Sequence, residues 1–408
     1  MSKFLPLVLL TVVGTTLPLR AAPGLIISLD NVADRIRAQN PQLAAARLRI
    51  QEAAGHVKQS GLLPNPELES STEVNSPLRE GRLQVEISQR FPLTDRLQLE
   101  KEISLTELRS SEAEVREVER QLIHQARTAV VKWLALREHS DLFIEQTRNA
   151  RQLADSLSAA AATGEGSALA AGQAKLATAS LAIETRRLNA TRAELAGELK
   201  FLLGIPPSEP LNVSGRLPAP ALPETPAKVS QRPDLQAAKL ATAAAAQEVQ
   251  LARAKRYDDV EAGIFAAAQR SEDAPDGMDN EAIVGIRFKI ALPFWNKNEG
   301  AIEKAEARHN RMHLESTALT RSIQQDAQSA LAEMTEWAAL IDEITQHLLP
   351  LADEQSKQAA AAYQNAEEDI QGLLRTREKR LELATARLDA LREFHLARIR
   401  HASAIAQP

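Results

Sequence analysis

Apolar and small residues recur at a mean spacing of 3.5 through one long stretch of the chain: Val115, Val118, Leu122, Ala126, Ala129, Trp133 and Leu136 take six steps over 21 residues. That period belongs to a helix supercoiled against a neighbour rather than to an isolated one. The stretch around it, residues 95–162, holds no Gly or Pro and reads as a single long helix. A second seam runs Ile302, Ala305, His309, Met312, Ser316, Leu319 and Ile323, and continues through Ala330, Met334, Trp337, Ile341, Ile344 and Leu348. It predicts a helix over 297–362. Shorter helical patterns cover 29–62, with Asp30 or Asn31 as N-cap, then 167–203 and 367–401. At 1.5 Å per residue the long helices span about 100 Å and the shorter ones about 50 Å. One long helix therefore matches two short ones laid end to end, in a rod suited to a spacer or a conduit.

Two short segments alternate instead with period two. Residues 82–91 place Leu83, Val85 and Ile87 against Gln84, Glu86 and Ser88; residues 282–290 place Val284, Ile286, Phe288 and Ile290 against Arg287 and Lys289. Residues 67–74 and 259–266 are their weaker partners, with Leu68 and Val74, then Val260, Ala262 and Ile264, on the apolar side. The strand pairs interrupt the helices at equivalent points of a duplication. Asn40-Pro41-Gln42-Leu43 answers to Arg232-Pro233-Asp234-Leu235, Phe91-Pro92-Leu93 to Leu292-Pro293-Phe294, and Trp133 to Trp337, at offsets of 192, 201 and 204. Strands of this length with one apolar face fit a transmembrane barrel. Four of them leave unsatisfied edges in lipid; three copies would supply twelve.

Composition narrows the class. The chain has 408 residues, 25% charged, 3% aromatic, with net charge -5 and no cysteine. The missing cysteines exclude disulfides, thiolate metal sites and a lipidated N-terminal cysteine. The mixed charge gives no reason to expect nucleic acid. Lys3, the apolar run Phe4 to Val13 and the small residues near Ala21-Ala22 have the layout of a secretory signal peptide over 1–22. No other segment approaches the roughly 18 apolar residues of a spanning helix, so an exported chain that crosses a membrane does so with strands. Seven prolines between Pro206 and Pro226 keep the segment 205–228 from being helical.

In their order and spacing, Asn40-Pro41-x-Leu43, Pro64-Asn65-Pro66, Phe91-Pro92-Leu93, Leu202-Leu203-Gly204 and Arg232-Pro233-Asp234-Leu235 resemble the TolC-like outer membrane efflux family over almost the whole mature chain. The overall flavour looks most like its heavy-metal (CzcC-like) branch. The resemblance implies a mainly α protein with a small β part. Long coiled-coil helices would form a periplasmic α-barrel, and four strands per protomer a 12-stranded transmembrane β-barrel in a homotrimer. It further implies an outer-membrane location with a long periplasmic extension. The partners would be outer-membrane lipid, a periplasmic adaptor and an inner-membrane proton-driven pump, and the cargo class includes divalent or heavy-metal cations. The organisation is then a signal peptide (1–22), a first repeat (23–204), a Pro-rich linker (205–228) assigned to an equatorial belt, and a second repeat (229–408). The chain departs from the family at its second tip, with Tyr363-Gln364-Asn365-Ala366 where Tyr-x-x-Gly is common, and in lacking the lipidation cysteine. The competing class is a periplasmic coiled-coil adaptor or scaffold, which should instead carry one helical hairpin flanked by larger β-rich domains.

Candidate chemistry is sparse. His309 and His313 share a helix face, but Asn310 stands where the zincin pattern has its general-base Glu. His309 also falls on the coiled-coil seam, so the pair reads as packed or solvated ahead of metal-binding. Nothing resembles a nucleophile with its base or a phosphate loop, and the chain is expected to be no enzyme and to need no cofactor. Glu367, Glu368 and Asp369 follow one helix turn and Glu165 lies in the other. Such carboxylates cap helices; under threefold symmetry they could also ring a periplasmic mouth and favour cations. The polar strand faces carry Glu67, Glu69, Glu73, Glu86, Asp259 and Glu261 against Arg82, Arg287 and Lys289. Salt screens such charges over ~8–10 Å in a wide pore, which leaves selectivity to the pump partner.

Overall fold

The computed structural model describes residues 26–75, 79–223, 232–273, 277–365 and 367–405; the expected signal peptide lies outside them. The first repeat comprises β1 (Ile26–Ile27), α1 (Val32–Gln39), α2 (Pro41–Gln59), β2 (Glu67–Val74), β3 (Gly81–Phe91), α3 (Arg96–Thr163) and α4 (Ala168–Leu202). After β4 (Asn212–Val213), the second comprises α5 (Pro233–Ala254), β5 (Val260–Asp273), β6 (Gly277–Lys289), α6 (Glu299–Glu343), a π-helical turn (Ile344–Leu348), α7 (Leu349–Gln364) and α8 (Ile370–Ala404). Each repeat is thus a helix, a β-hairpin and a long helical hairpin. At 1.5 Å per residue α3 extends for about 100 Å, which separates the sheet from the hairpin tips.

The seams face inward as their spacing requires. Val115, Leu122, Ala126, Ala129 and Trp133 on α3 are buried, as are Ser316, Ile323, Ala330, Met334 and Ile341 on α6. The main core gathers at the molecule's waist, where α1, α3, α4, α6 and α8 meet around Ile36, Leu134, Leu199, Met334 and Phe394. Burying each such side chain stabilises by about 1.5–3 kcal/mol. A second, smaller cluster of Ala170, Ala359, Ile370 and Leu373 joins the tips of the two helical hairpins.

The helix expected over 29–62 is two helices. Proline disfavours a helical conformation in the residue before it, and Asn40 accordingly adopts ψ 122°. Its Oδ1 accepts from Leu43 N at 2.9 Å, capping α2, while Nδ2 donates to the Leu202 carbonyl at 2.8 Å. Arg35 Nε donates to the Leu203 carbonyl at 3.1 Å. Gly204, at φ +62, passes so close to the Gln39 carbonyl that no Cβ would fit. The Asn-Pro and Leu-Leu-Gly motifs are therefore the two halves of one lock between the start and the end of the first repeat. Asn31 does not cap α1 with its side chain; Oδ1 accepts from Ser28 N instead, and Nδ2 donates to the Ile26 carbonyl.

The long helix expected over 297–362 contains a π turn directly before Pro350. Leu349 N–H donates to the Ile344 carbonyl five residues back. Proline has no N–H to give residue 346, and the wider turn absorbs that missing bond.

The sheet is antiparallel in the order β2-β3-β5-β6, so the hairpins of the two repeats pair through β3 and β5. β5 and β6 run longer than the alternating pattern foretold, through pairs such as Arg270 with Asn280 and Ser271 with Asp279. Backbone pairing needs no apolar alternation, which is why these polar outer ends were invisible to it.

Candidate functional site

Three regions carry the candidate residues: the sheet, the hairpin tips and the waist. The sheet is inside out. Leu83, Val85 and Ile87 of β3 are exposed, while Glu86 between them is only 4% accessible. Ile264, Val284, Ile286 and Phe288 continue the exposed apolar face across β5 and β6, at 59–76% accessibility. In water this arrangement would leave the hydrophobic effect unused; against lipid it is the stable one.

Glu67, Glu69, Glu86, Glu261 and Arg287 all lie on the opposite, polar face. The register places Glu67, Ser88, Gly263 and Arg287 in one row and Glu69, Glu86, Phe265 and Gly285 in the next. Glu86 meets Arg287 at 2.8 Å. Gly263 makes that reach possible, since a Cβ there would stand 2.9 Å from Glu86 Oε1. Phe265 lies over Gly285, where a Cβ would come within 2.5 Å of the ring. Arg90, which the sequence reading passed over, contacts Glu67 at 3.2 Å and Glu261 at 3.6 Å, and Lys289 stands 3.8 Å from Glu261. The acidic bias of this face is therefore largely neutralised in pairs. Asp259 leaves the set; it is bound by Arg96 at 2.5 Å and ties β5 to the start of α3.

At the tips the four carboxylates divide. Asp369 Oδ1 accepts from Gly372 N at 3.0 Å and caps α8. Glu368 lies against Gly372, occupying the space a Cβ would need. Glu165 and Glu367 are exposed at the two turns. Ala366 lies outside the described residues.

His309 is half-buried on the α6 seam and His313 is exposed. Among the described residues no group of three or more His, Cys, Asp or Glu is placed to hold a metal.

The waist brings together histidines that the sequence reading did not single out, because they are scattered along α3 and α8 with no motif spacing. Burial pushes His124, His139, His395 and His401 below the ordinary imidazole range. At His139 that burial is opposed by Asp389, 3.7 Å away, whose charge favours the protonated ring. His395 donates from Nε2 to the Pro218 carbonyl at 2.9 Å. That bond and the bonds from Arg137 to the Val213 and Gly215 carbonyls strap the Pro-rich segment to the outside of α3 and α8.

This architecture, two repeats of long helical hairpins ending in one four-stranded sheet, is the TolC-like fold of outer-membrane channels. The chain superposes on the channel-forming protein CusC with a TM-score of 0.77 at 18% identity, over 92% of this chain and 91% of that one. The outer-membrane channel OprN gives 0.79 at 17% identity, over 93% and 90%. The outer membrane protein VceC of Vibrio cholerae gives 0.73 at 19% identity, over 92% and 95%. No family model and no curated protein matches the sequence.

Proposed function

We propose that the protein is the outer-membrane duct of a tripartite efflux system, a homotrimer that conducts its cargo passively to the exterior. The observation that carries this reading is the two-faced sheet, with valines, leucines and isoleucines exposed on one face and charged residues on the other, where Glu86 is buried against Arg287. β2 and β6 each pair with one neighbour among the described residues, so the sheet has two open edges, which lipid does not tolerate. Joining three copies edge to edge gives twelve strands and closes the barrel, with the helices continuing as a periplasmic tube. In this reading residues 1–22 are removed on export, 23–204 and 229–408 are the two repeats, and 205–228 is the equatorial linker. A periplasmic adaptor and an inner-membrane proton-driven pump supply the energy. Glu67, Glu69, Glu86, Glu261 and Arg287 line the barrel, and the exposed tip carboxylates Glu165 and Glu367 form the periplasmic gate ring. The resemblance to the heavy-metal branch supports divalent or heavy-metal cations as cargo.

Fractionation of cells making the full chain tests the reading. The protein is expected in the outer-membrane fraction, with an unheated gel band that shifts on boiling as a barrel trimer dissociates. A soluble monomer that does not shift would overturn it in favour of a periplasmic scaffold.

A further inference from the structure

The waist carries a cleft of 740 Å³ between α1, α3, the C-terminal end of α8 and the Pro-rich strap. Five arginines line it, Arg37, Arg116, Arg120, Arg127 and Arg398, against two carboxylates, Asp30 and Glu119. Not all of that charge is free. Arg37 is held by Asp34 and Glu119, Arg120 by Glu117 and Ser403, and Arg116 reaches Gln236 at 3.3 Å.

Arg127 differs from these. It is half-buried and makes no ion pair or hydrogen bond among the described residues, although Asp30 lies near enough to act on it. Burial and the neighbouring Arg37 weaken its hold on the proton, which is the mark of a cation short of a counter-charge. Histidines line the same cleft. His401 is 6% accessible, with no side-chain hydrogen bond among the described residues. His124 has a buried Nδ1 without a partner. Buried polar groups are ordinarily satisfied, and a half-buried guanidinium without a partner in a cleft of five arginines and two carboxylates calls for an acceptor. The remaining wall is apolar, formed by Ile123, Val131, Leu222, Met334 and Ile399. The volume falls within the range of small-molecule sites, about 300–1,000 Å³.

We propose that this cleft binds a small amphipathic anion, a phosphate or carboxylate carrying an apolar body. The head is held by Arg127 with His401, and the body lies against the Ile123–Met334 wall. Such a ligand would link α1, α3 and α8 with the strap.

Calorimetric titration of the full chain in nanodiscs with phenyl phosphate tests the proposal, with inorganic phosphate and phenol as half-ligands. Phenyl phosphate is expected to bind at least tenfold more tightly than either half. Arg127→Gln should weaken it about tenfold or more, the loss of one charge-assisted hydrogen bond, while Arg127→Lys retains most of the binding. Arg187→Gln, on the exposed face of α4, should leave it unchanged. Circular dichroism of each variant separates lost binding from lost folding. Absence of phenyl phosphate binding to the parent protein, or equal binding by folded Arg127→Gln, would overturn the assignment.

Discussion

Val85 and Glu86 are neighbours in sequence with opposite surroundings, 44% and 4% accessible, and the reversal from soluble-protein practice resides in pairs like this. Glu86 tolerates its position because Arg287 answers it at 2.8 Å and Gly263 yields the room. A buried carboxylate left without such a partner costs several kcal/mol. The apolar neighbours gain only if something apolar covers them. Arg placed at Ile286 is therefore expected to cost about 2–4 kcal/mol near the membrane midplane. Ser71 is the matching control, exposed but on the polar face opposite Gln84; Gly285 would be a poor one, because any side chain there collides with Phe265. Assembly yield and urea-unfolding midpoints of Ile286→Arg and Ser71→Arg in vesicles read the difference. Equal loss in the two variants would mean that this face does not meet lipid.

The elements were legible to very different degrees, for physical reasons. Helix α3 follows a repeated apolar spacing and was readable almost to its ends, and the 67–74 and 82–91 strands were readable from alternation. Two features escaped. The break at Asn40 came from the backbone preference of a residue before proline, and the π turn came from a proline that a periodic pattern does not register. The site was less legible than the fold. The carboxylates of the polar strand face were visible as the polar phase of the strands, but Arg90, which neutralises two of them, was not weighed against them. The waist histidines and Arg127 came from helix turns far apart in sequence, with nothing local to flag them. At the tip, composition alone gave four equivalent carboxylates, and geometry distinguishes them. Asp369→Ala is expected to lower stability by about 0.5–2 kcal/mol through loss of the α8 cap, with ion selectivity unchanged. The Glu165→Gln, Glu367→Gln double variant should do the reverse, reducing cation preference in single-channel recordings while the unfolding midpoint holds. Unaltered selectivity in the double variant would remove the gate assignment.

The whole molecule is shaped by what one copy cannot finish. Its helices are long enough to bridge about 100 Å, and they pack well at the waist and at the tips, where buried clusters hold both repeats together. The sheet at the far end gathers its charges on one face, exposes its apolar side chains on the other and keeps two strand edges open. Such a surface is stable only where lipid covers the face and further copies cover the edges. Electron cryo-microscopy of the full chain reconstituted in nanodiscs tests that most directly. The account expects a threefold particle with a twelve-stranded barrel, Val284 and Ile286 against the lipid, and Glu86 and Arg287 facing the lumen. A monomeric particle, or one whose apolar sheet face is buried against protein outside the bilayer, would contradict it.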